Sequence, residues 1–129
     1  MTTALLLIAH GSRHQEANAD LLHVASALAQ RGPAIVETSF LELAEPGIEY
    51  GAARCVERGA RLVVMLPYFL SAGLHVRRDL KLARDRLAER FPAVDFRLAE
   101  PLGRHPLLLE VVADRFREAL AQGTSSSGQ

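Results

Sequence analysis

Apolar residues follow two rhythms along this chain, and the rhythms alternate. Short continuous runs, richest in Leu, Ile and Val, occupy 4–9, 34–41, 61–69 and 94–99. Runs of that length and density are expected of strands covered on both faces. Between and after them the spacing changes to steps of three and four. Ala17, Leu21, Val24, Ala25 and Leu28 form one such helical face, over 13–31. Ile48, Ala52 and Val56 form the second, with Pro46 expected in its first turn and Gly59 at its end. Val76, Leu80, Ala83, Leu87 and Phe91 form the third, over 75–90, and Pro92 closes it. Leu108, Val112, Phe116 and Leu120 form the last, over 105–121, and are expected to be buried.

The order is strand then helix, four times. It predicts a single α/β domain of three layers: a four-stranded parallel sheet in the order 2-1-3-4, helices on both faces, right-handed crossovers. The domain is expected over 1–122. The tail, 123–129, has no apolar residue and is expected to be disordered. In such a sheet ligands bind beyond the carboxyl ends of the strands, where the winding reverses. Here the reversal falls between strands one and three.

Composition narrows the partners. Fifteen basic residues balance fifteen acidic ones, which gives no reason to expect nucleic acid. The N-terminal apolar run ends at His10, too short for a membrane span, and no basic n-region precedes it. A single cysteine, Cys55, cannot form an intrachain disulfide. A cytoplasmic protein is the expectation.

Both strands at the reversal end near a histidine. Strand one runs into His10-Gly11-Ser12-Arg13, strand three into Ser71-Ala72-Gly73-Leu74-His75-Val76-Arg77-Arg78. Gly73 is expected to let the second loop turn tightly. Strand two adds a carboxylate at the same edge, in Phe40-Leu41-Glu42. Two His and one carboxylate with open positions suit Fe(II), Co(II), Ni(II) or Zn(II), and imidazole is also a base near neutral pH. Arg13, Arg77, Arg78 and Lys81 surround the edge and favour an anion carrying carboxylates. His14, His23 and His105 fit helix starts or solvent faces. The phosphate-loop and dinucleotide glycine motifs are absent, and Gly11-Ser12 lacks the context of a hydrolase elbow.

These motifs together resemble one family. His10-Gly11-Ser12-Arg13, Phe40-Leu41-Glu42, Pro67-Tyr68-Phe69-Leu70-x-x-Gly73-x-His75-Val76-x-x-Asp79 and Glu100-Pro101-Leu102-Gly103-x-His105-Pro106 occur in order. They are similar to the CbiX/SirB class II chelatases, which insert Co(II) or Fe(II) into sirohydrochlorin. The resemblance covers the chain except its tail. It implies a chelatase-like fold, His10 and His75 as catalytic metal ligands, and Glu42 assisting them. It implies a tetrapyrrole held by Ser12, Arg13, Ser71, Gly73, Arg77 and Arg78. The divalent metal (Co2+, Fe2+ or Ni2+) is then a substrate, no cofactor is permanently bound, and neither ATP nor a redox group is required. The chain is similar to the short form, in which one lobe pairs with a second copy as a homodimer. A metal or tetrapyrrole carrier would use the same histidines without turnover. A silent interaction domain would have no use for them.

Overall fold

β1 (Thr3–Ala9) is the hub, hydrogen-bonded in parallel to β2 (Ile35–Phe40) on one side and to β3 (Leu62–Pro67) on the other. β4 (Asp95–Leu98) joins β3, so the sheet order is β2-β1-β3-β4, as the alternation of rhythms predicts. The structure, a computed structural model, describes residues 2–123. The tail expected to be disordered lies outside the described residues, apart from Gly123.

The reversal at β1 sends the helices to opposite faces. α1 (Gln15–Ala29) packs on β1 and β2, where Leu7, Leu21 and Phe40 form a small core. α2 (Ile48–Glu57) and α3 (Leu74–Arg90) cover the other face. There Leu6, Ile8, Ala52, Val63, Met65, Leu80, Leu87 and Phe96 make the main core. Removing one such leucine side chain would cost on the order of 2–5 kcal/mol, so this face dominates stability. α2 lies unusually close to the sheet. A Cβ at Gly51 would stand 2.9 Å from Leu6 and 3.0 Å from the Ser39 Cβ. Cys55 is fully buried beside it, and burial, with the Glu37 charge second, pushes its thiol up to about 12.

Three sequence expectations need correction. Pro46 precedes α2 instead of opening it: Gly47 is the N-cap, and the Pro46 carbonyl accepts a hydrogen bond from the Phe40 amide at 2.9 Å. Gly73 makes no left-handed turn. It is the N-cap of α3 at φ −71° and ψ 175°, extended backbone that any residue adopts, and a Cβ there would meet nothing. The third correction concerns α4 (Pro106–Gln122). Its expected stripe is not buried by this chain: Val112 is 66% exposed, Phe116 63% and Leu120 64%, and Leu108 is only half-buried. The periodicity shows which face of α4 is apolar; nothing among the described residues buries it.

Glycine chemistry matters most at Gly11. It sits at φ +96°, and a Cβ there would stand 1.8 Å from the Glu42 carbonyl oxygen. Gly11→Ala should therefore cost about 2–4 kcal/mol, from backbone strain and steric exclusion together. Thermal unfolding should show Tm lowered by roughly 10 °C; an unchanged Tm would mean the two loops are not in contact. Cys55 should resist Ellman's reagent in the native protein and react fully once it is unfolded, because its thiol is both inaccessible and un-ionised near neutral pH.

Candidate functional site

The carboxyl end of β1 is tied by its backbone to both neighbours. Leu41 donates its amide to the Ala9 carbonyl at 2.9 Å, and Glu42 donates to the His10 carbonyl at 3.1 Å. On the other side Tyr68 donates to the Ile8 carbonyl at 2.7 Å. These bonds continue the strand ladders past the strands' ends. They bring the loops carrying His10, Glu42 and Phe69 into register.

His10 is exposed, but its ring is not free to wander. It stacks on Phe69 with centroids 4.4 Å apart and planes 29° from parallel. Phe69 belongs to the loop that leads into α3, so this stack joins the two histidine-bearing loops. Glu42 follows β2, and its side chain is exposed at the same edge. His75 lies in the first turn of α3, also exposed. Its Nδ1 is 2.8 Å from an Nη of Arg78. A guanidinium can only donate, so Nδ1 accepts and the neutral ring keeps its proton on Nε2.

Among the described residues no three His, Cys, Asp or Glu side chains form a group that could hold a metal ion. The strands deliver His10, His75 and Glu42 to one edge without assembling them into a closed three-ligand site. What a single copy offers is an open face.

The basic residues divide between two hollows. Arg13 lines a small one, about 450 Å³, with Ser12, Asn18, Phe40 and Leu43. Arg77, Arg78, Lys81 and Arg84 line a larger cleft of about 1090 Å³ along α3 and β4. The expectation of one basic rim is thus too simple. Arg77 is also partly engaged within the chain: its Nε donates to the Ala72 carbonyl at 3.2 Å and an Nη stands 3.5 Å from Glu100. Ser12 is part of a turn. Its Oγ accepts from the His14 amide at 3.0 Å, while Asn18 pairs with its backbone through two bonds of 3.0 and 2.8 Å. Ser71 is exposed in the β3–α3 loop.

Sequence reasoning missed the Phe69 ring under His10, the Arg78 partner of His75, and the Asn18 brace. A spacing of three between His75 and Arg78 on a helix start could have found the second. Leu43, Leu70 and Leu74, exposed at 53%, 64% and 82%, were also overlooked. They adjoin Glu42, Phe69 and His75 in sequence, and they give the edge an apolar rim. The three histidines set aside behave as expected. His14 and His105 are N-caps, the latter accepting from the Leu107 amide at 3.1 Å through Nδ1, and His23 is exposed.

Among the described residues no helix is long and apolar enough to cross a membrane. Comparison with known proteins gives one consistent answer. The family model CbiX matches residues 4–119. The chain is 34% identical to a sirohydrochlorin cobaltochelatase of Sulfolobus acidocaldarius, over 94% of this chain and 96% of that one. It is 36% identical to the chloroplastic sirohydrochlorin ferrochelatase of Arabidopsis thaliana, over 91% of this chain but 52% of the plant protein. It therefore spans about half the length of that relative. A CbiX protein from Marinobacter aquaeolei VT8 superposes with a TM-score of 0.82 at 29% identity, covering 94% of this chain and 99% of the other. The cobalt complex of the sirohydrochlorin chelatase SirB from Bacillus subtilis subspecies spizizenii also gives 0.82, at 30% identity, covering 92% of this chain and 51% of SirB. With a family model matched over residues 4–119 and a relative 34% identical over nearly the full length of both chains, the chain belongs to the CbiX family.

Proposed function

We propose that this protein is a sirohydrochlorin chelatase, which inserts Co2+ or Fe2+ into the macrocycle and works as a homodimer. The observation that carries the reading is the open edge itself. His10 is fixed over Phe69 at the end of the central strand, with the Glu42 loop bonded to its backbone and His75 at the start of α3. It supports metal traffic better than metal storage: two imidazoles and one exposed carboxylate leave open positions, whereas storage sites are closed by four ligands.

Insertion exchanges two pyrrole N–H bonds for metal–nitrogen bonds and releases two protons. It also strips water from the incoming ion. His10 and His75 hold the metal while its waters leave, then accept protons from the ring as the metal transfers. Glu42, exposed to solvent, passes those protons outward. The apolar rim of Leu43, Leu70 and Leu74 receives the flat ring, and the basic residues receive its carboxylates. Arg78 links the two events. While it donates to His75 Nδ1, that nitrogen can neither ligate nor take a proton. A substrate carboxylate that captures the guanidinium frees the imidazole when the macrocycle arrives.

Absorbance assays with sirohydrochlorin and a metal panel test the scheme under multiple turnover. His10→Ala and His75→Ala should each lower kcat by about 100-fold or more, with circular dichroism unchanged. Glu42→Gln should lower it by about 10-fold. Near-normal turnover in either histidine variant removes that residue from the mechanism, and stoichiometric binding without turnover would instead identify a carrier.

Arg78→Ala should raise KM for sirohydrochlorin by about 10-fold or more, the worth of a lost charge-assisted hydrogen bond, and should let His75 take up metal before the macrocycle arrives. Lysine should rescue it poorly, since it lacks the planar fork. A KM unchanged in the Arg13, Arg77 and Arg78 single variants would make these arginines solvent-facing residues only.

A further inference from the structure

Four loops line the carboxyl edge of the sheet, and each touches the next. The Glu42 amide donates to the His10 carbonyl, and the Glu42 carbonyl lies against Gly11. The His10 ring is stacked on Phe69. Phe69 is in turn met by the fourth loop, the connection at 99–105 between β4 and α4, which carries no residue of the proposed metal site. Leu102 donates its amide to the Phe69 carbonyl at 3.0 Å. Beside that bond, Gly103 lies so close to Leu70 that a Cβ would stand 2.1 Å from the Leu70 carbonyl oxygen. Gly103 has no positive φ, so the close approach alone calls for glycine here.

The connection is anchored at both ends. At its start Ala99 donates to the Met65 carbonyl at 2.9 Å, one residue past β4, and Arg77 of α3 stands 3.5 Å from Glu100. At its end the His105 amide donates to the Leu102 carbonyl at 3.3 Å, and the His105 side chain caps α4. Between them Arg104 keeps the left-handed conformation at φ 65°. A non-glycine residue holds that conformation only where its surroundings fix the backbone.

The Phe69 ring is only half-buried against the main core. Its direction under His10 therefore depends on its backbone. That backbone is bonded on one side through Tyr68, whose amide donates to the Ile8 carbonyl at 2.7 Å, and on the other through Leu102.

We propose that the 99–105 connection is a positioning element for His10 and acts through Phe69. Leu102 and Gly103 hold the Phe69 backbone, and the Phe69 ring holds the imidazole. The effect on turnover rests on the chelatase reading, whereas the placement of the ring does not. A ligand that must deliver a metal to a set point loses rate when its ring can turn or shift, and a misplacement of about 1 Å can cost roughly 100-fold.

The test reads placement and turnover separately. In NMR spectra at one fixed pH, the His10 ring protons are assigned by their absence from His10→Ala. They should lie upfield in the wild type, under the ring current of Phe69. They should return to the ordinary range in Phe69→Leu and move part of the way in Gly103→Ala. Leu102→Pro, which deletes the hydrogen bond without adding a Cβ at 103, should move them likewise. In assays with sirohydrochlorin and Co2+, Phe69→Leu and Gly103→Ala should each lower kcat by about 10-fold, with KM for sirohydrochlorin changed by less than about 2-fold. Phe69→Tyr keeps the ring and should stay near wild type. The double variant Phe69→Leu/Gly103→Ala should be no slower than Phe69→Leu alone, because both changes act through one contact.

His10 resonances unmoved by both Gly103→Ala and Leu102→Pro would overturn the proposal. Losses that multiply in the double variant would overturn the route through Phe69, and displaced resonances with an unchanged kcat would overturn the role in turnover. A wild type that inserts no metal would overturn the chelatase reading instead, and the NMR comparison would still decide the placement.

Discussion

Everything at the candidate site depends on β1 being bonded on both sides up to and beyond its last residue. A strand at the edge of a sheet could end in a histidine loop that moved freely. Here the carbonyls of Ile8, Ala9 and His10 accept amides from Tyr68, Leu41 and Glu42. The loop therefore has little freedom at its base, and the tight turn that follows is possible only because Gly11 carries no Cβ. The reversal of strand order at β1 thus brings the ends of three strands to one place, and these backbone bonds hold them there.

The fold was legible in the sequence because its evidence is local. Strand-length apolar runs followed by helical stripes specify the alternation, and handedness then leaves few topologies. The placement of His10, Glu42 and His75 beyond the carboxyl ends of the strands was legible for the same reason: strand order places strand ends. What could not be read depends on backbone angles and distant partners. Gly11 and Gly73 look alike in sequence, yet only Gly11 needs a positive φ. The Phe69 ring reads as the end of a buried run, and only the fold shows that it lies under an imidazole. The stripe on α4 was read correctly as apolar and wrongly as buried within this chain, because periodicity records that a face seeks cover without recording whose.

The last point changes how the size of the chain should be understood. A lobe of four strands and four helices has enough elements to cover both faces of its sheet. Among the described residues of this one, Leu62 and Val64 stay half-exposed on one face, and no residue of the fourth helix is buried.

The two histidines are held in different ways, and the difference suits a site that must let go. His10 is fixed by a stacked ring and follows a strand paired on both sides. His75 is on a helix start whose N-cap has no side chain to bond it, and its Nδ1 is occupied by a guanidinium that an anion can claim. A pair of rigid ligands would bind a metal tightly and release it slowly. A pair of mobile ones would pay the ordering entropy at every turnover. In the proposed insertion, one fixed imidazole would define where the metal sits and one conditional imidazole would engage when a carboxylate draws Arg78 away, which permits capture and release at the same edge.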